Sequence, residues 1–110
     1  MLEISPDELG NFLTLITNFM CERTLENKTF NELVTIFTKC YKGYSNDYSN
    51  DLRILDYEKS MNEGRWDGPI ILTRSQHNGI IDDGIHRGIA YLRCVNSKVN
   101  EEKLPRVYII

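Results

Sequence analysis

The stretch "IIDDGIHRGIAYLR", Ile80 to Arg93, constrains the fold more than any other. A β-branched run stops at Asp82, Asp83 and Gly84, and the basic pair His86 and Arg87 opens a segment with Ile85, Ile89, Leu92 and Val95 on one side, the spacing of a helix. Upstream, "PIILT" from Pro69 to Thr73 is a short β-branched run bounded by proline and a polar stretch, which predicts a buried strand. Asn78-Gly79 is the strongest short hairpin signal, with "GIID" as its return strand. After the helix, "PRVYII" alternates like a closing strand.

The first half reads as helical. Ser5 caps a helix with Pro6 at its first position and Glu8 answering the serine, and Leu9, Phe12, Leu13, Ile16, Phe19 and Met20 make one apolar stripe. A second capping box, Thr29 with Glu32, precedes a second stripe of Phe30, Leu33, Val34, Phe37, Cys40 and Tyr41, so that residues 1–43 form a helical hairpin. The tetrapeptide Tyr-Ser-Asn-Asp then occurs twice in tandem, and residues 44–51 read as a linker because these side chains bond to nearby backbone in turns. From Leu52 a third helix runs with Ile54 or Leu55, Tyr57 and Met61 inward, stopping at Gly64. Helices first, then a small sheet with a helix packed on it, define an α+β fold.

One domain of 110 residues is long enough to bury a core without staples. Its 13 lysines and arginines against 16 acids, net charge −3, argue against DNA or RNA as the main partner, since phosphate neutralisation dominates that affinity. Cys21, Cys40 and Cys94 are odd in number and show no zinc or redox spacing, which fits a reducing, cytoplasmic setting. The N-terminus lacks the pattern of a signal peptide, and no apolar run approaches a membrane span.

At the strand-to-helix junction, Gly84 permits a tight turn, and the first helical turn beyond it offers unpaired N–H groups and the positive end of the helix dipole. His86 and Arg87 add side-chain donors, the parts of a phosphate cradle. Basic residues are otherwise unfavourable at a helix start. The competing reading is a polar hinge in which Asp82 or Asp83 caps the helix and pairs with Arg87; spacing alone leaves the two open. His77 with His86 and the aspartates is a weaker metal-site pattern, because its spacing is not diagnostic.

"GPIIL", a hairpin, "IIDDGIHRGIAYLR" and a closing "LPRVYII" together resemble the core of the ParB N-terminal domain and sulfiredoxin superfamily, over residues 52–110. The resemblance implies that Gly84, His86 and Arg87 contact nucleotide phosphates. It places Ser60, Gly64 and Trp66 near the nucleoside, although the lone tryptophan reads equally well as a core anchor. Phosphoryl chemistry would add Mg2+ with ATP or CTP, His86 and Asp83 as catalytic groups, Asp83 orienting the nucleophile, and Asp82 as metal ligand. Ile85 stands where sulfiredoxins need cysteine, which removes sulfinic-acid repair, and the helix-turn-helix of DNA-clamping relatives is missing. An NTPase or phosphotransferase is therefore one expectation. The other is a non-catalytic protein-interaction module, such as a phage or mobile-element factor acting on a host protein through the helical hairpin; a nuclease ranks last.

Overall fold

The structure is a computed structural model, and it describes residues 1–14, 28–40, 48–74, 84–97 and 101–110. In chain order the elements are β1 (Leu2–Ile4), α1 (Pro6–Asn11), β2 (Leu13–Thr14), β3 (Lys28–Thr29), α2 (Phe30–Cys40), α3 (Tyr48–Asn62), β4 (Ile70–Leu72), α4 (Ile85–Asn96), a 3-10 turn at Glu101–Lys103, and β5 (Val107–Ile109). The architecture is α+β, as the sequence predicts.

The main sheet has the order β1-β5-β4, with β1 antiparallel and β4 parallel to the central β5. Ile4, Val107 and Ile70 lie in one register row, and all three face the core. Because β4 and β5 are parallel, the chain must cross over between them, and α4 lies in that crossover. α4 turns Ile85, Ile89 and Leu92 into the core, with Val95 packed at its edge. α3 packs along it through Ile54 and Met61, both at most 1% exposed. Gly88 in α4 sits against the Phe30 ring of α2; a Cβ there would meet Phe30 Cε1 at 2.5 Å.

Both capping boxes form. In α1 the Glu8 N–H donates to Ser5 Oγ (3.2 Å) and the Ser5 N–H to Glu8 Oε1 (3.0 Å). In α2 the Glu32 N–H donates to Thr29 Oγ1 and the Thr29 N–H to Glu32 Oε1, each at 3.2 Å. α3 ends in a Schellman motif: Gly64, at φ 68°, donates to Met61 O, and Arg65 donates to Ser60 O.

Three expectations are corrected. The first helix does not run to Met20: it ends at Asn11, Phe12 is extended, and Leu13–Thr14 pair with Lys28–Thr29 as a two-stranded ribbon. Gly10 and Asn11 are weak helix formers, and the β-branched Thr14 favours extended backbone, so Phe12 and Leu13 do not continue a helical stripe; Ile16, Phe19 and Met20 lie outside the described residues. Leu9 is fully buried and Leu13 is 42% exposed, so the first arm of the helical hairpin expected over residues 1–43 is interrupted at Phe12; residues 15–27 and 41–43 lie outside the described residues. Residues 44–51 are not all linker, since α3 begins at Tyr48 and takes in the second Tyr-Ser-Asn-Asp copy. Serine, asparagine and aspartate that favour turns also favour helix starts. Finally, β1 adds an N-terminal strand where the sequence offers only a cap. The expected Asn78-Gly79 hairpin and its return strand lie outside the described residues.

Candidate functional site

Gly84 is the N-cap of α4, in the left-handed region at φ 94°. It is buried against β4, and a Cβ there would meet Leu72 Cδ2 at 2.7 Å and the Ile71 carbonyl at 3.4 Å. Glycine is thus required twice over, by its dihedral and by the close approach of the strand. Its carbonyl accepts from the Gly88 N–H at 2.9 Å, so the helix starts in regular geometry. No side chain of the N-cap closes the first turn, and that turn contains no acidic residue. α1 and α2, by contrast, carry acids in their first turns and close them with capping boxes.

Around this turn the packing of α3 on α4 gathers cations and aromatics. The Arg87 guanidinium lies 6.0 Å from the centre of the Tyr57 ring, within cation–π range. Tyr57 in turn meets Trp66 edge to face, with ring centres 5.3 Å apart and planes at 88°. His86 is partly buried, and burial first, then the charge of Arg53 on α3, lowers its pKa from 6.5 to about 4. At neutral pH the imidazole is therefore uncharged, a correction to reading His86 and Arg87 as a basic pair. The positive charge comes from Arg87 and Arg53 instead. Arg53 and Tyr57 were not legible as site residues, because only the α3–α4 packing brings them here.

The nucleoside candidates fall into two groups. Ser60 and Gly64 have structural parts in the turn that ends α3, through the Ser60 carbonyl and the Gly64 N–H. Trp66 packs against the core beside Tyr57, as an anchor would, and its Nε1 is buried with no hydrogen-bond partner among the described residues. Asp82, Asp83 and His77 lie outside the described residues, and with them the expectation of a catalytic aspartate and of a metal ligand. Among the described residues no three His, Cys, Asp or Glu side chains gather as a metal-binding group. The described side chains at the turn, Arg53, His86 and Arg87, offer Mg2+ no oxygen ligand, so they suit phosphate oxygens and not the cation.

Farther along α4, Arg93 Nε pairs with Glu58 Oε2 at 2.9 Å, locking α4 to α3. Cys94 is buried, with Sγ 3.6 Å from the Glu58 carbonyl. Burial and the nearby Glu58 charge push its thiol up to about 11, which leaves it protonated and a poor nucleophile. The thiol missing at Ile85 is thus not replaced by Cys94. Among the described residues no helix is long and apolar enough to cross a membrane. Compared with known proteins, the chain matches no family model, no curated protein and no solved structure.

Proposed function

We propose that the chain is a nucleotide-binding protein of the ParB and sulfiredoxin type that holds phosphates at the N-terminus of α4 and acts on them as an NTPase or phosphotransferase. One observation carries the reading: α4 starts on a left-handed glycine, uncapped by its own side chain and without an acid in its first turn, beside two arginines. The N–H groups of that turn and the positive end of the helix dipole then meet an anion with no competing carboxylate of the turn itself.

In this reading Gly84 lets β4 approach and sets the turn from which α4 starts, and Arg87, steadied over Tyr57, supplies a two-pronged donor to the phosphate. His86 is neutral until an anion arrives and can then hold a proton against it. Arg53 adds charge from the facing helix. Trp66, edge to face with Tyr57 and packed on the core, anchors the ring over which Arg87 lies. Asp83 would orient the nucleophile, and Mg2+ would come with the ATP or CTP or be held by Asp82. The alternative, a non-catalytic protein-interaction module working through residues 1–43, would keep partner capture when His86 and Arg87 are replaced, and within that stretch α1 is six residues and α2 eleven.

Isothermal titration with ATP, CTP, GTP and UTP, each with magnesium, is the test. Saturable binding of at least one is expected, and Arg87→Ala should remove it while leaving the unfolding midpoint in place. No heat from any of the four at submillimolar protein would end the proposal.

A further inference from the structure

We draw no further inference here: the strongest candidate, the open cleft of about 490 Å3 between the β1–α1 turn, Tyr91 of α4 and residues 102–107, carries nothing because Glu3 with Arg106, Ser5 with Glu8, and Tyr91 and Glu102 already have partners within the chain.

Discussion

At Gly84 a single added methyl group would meet two separate obstacles. The residue would have to hold a left-handed conformation, and its Cβ would press on Leu72 of β4. Gly84→Ala is expected to cost roughly 1–3 kcal/mol from backbone strain alone, with the steric contact adding to it. Urea denaturation measures this, and an alanine variant as stable as the parent would refute the geometry of the turn. His86 supports a pH prediction. Its folded pKa of about 4 lies below 6.5, so the folded chain prefers the neutral ring. That contribution is complete above pH 6.5 and is lost as the pH falls toward 4. Since the ring is partly exposed, solvent screening holds the effect to on the order of 1 kcal/mol. Between neutral pH and about pH 4.5 the parent should therefore lose more stability than His86→Gln, whose carboxylates titrate alike. Equal losses would show that His86 is not held neutral by folding.

Elements whose signals are local were legible; those that depend on distant partners were not. The boxes at Ser5 and Thr29, the glycine stop at Gly64, the short β4 and β5, and the inward row of α4 all follow from residues within a few positions of one another. β1 is three residues with only its last side chain buried, too short to announce itself without β5 beside it. The end of α1 was hidden because Leu9, Phe12 and Leu13 keep helical spacing across a backbone that has already become extended. The site divides in the same way. Gly84, His86 and Arg87 are contiguous and stand out, whereas Arg53, Tyr57 and Trp66 reach them only through tertiary packing. Capping supplies the test at this scale. Thr29→Ala removes the acceptor for the Glu32 N–H and should cost about 1 kcal/mol. Thr35→Ala, one turn into the same helix, loses only an exposed bond back to the Asn31 carbonyl and gains helix propensity, so it should be near neutral. Two variants with the same unfolding midpoint would show that the box does not hold α2.

The main sheet joins strands that lie far apart in the chain. β5 is the central strand, and its neighbour β1 precedes every other element, so Ile4 and Val107 meet across a loop of roughly a hundred residues. α3 and α4 are closer in sequence and share the most extensive helix contact, with Ile54 and Ile89 buried at 1% and 0%. Closing the longer loop costs more chain entropy before any contact rewards it, which places β1–β5 pairing late in folding and α3–α4 packing early. Ile4→Val, Ile54→Val and Ile89→Val each remove one buried methylene and should each cost about 0.5–1.5 kcal/mol, large enough to divide between rates. Stopped-flow refolding in urea separates the two arms. Ile54→Val and Ile89→Val are expected to slow folding, and Ile4→Val to act almost wholly by speeding unfolding. If Ile4→Val slows folding as much as Ile54→Val, the terminal strand joins the sheet before the rate-limiting step, and the α3–α4 platform that gathers Arg53, Tyr57 and Arg87 does not form ahead of it.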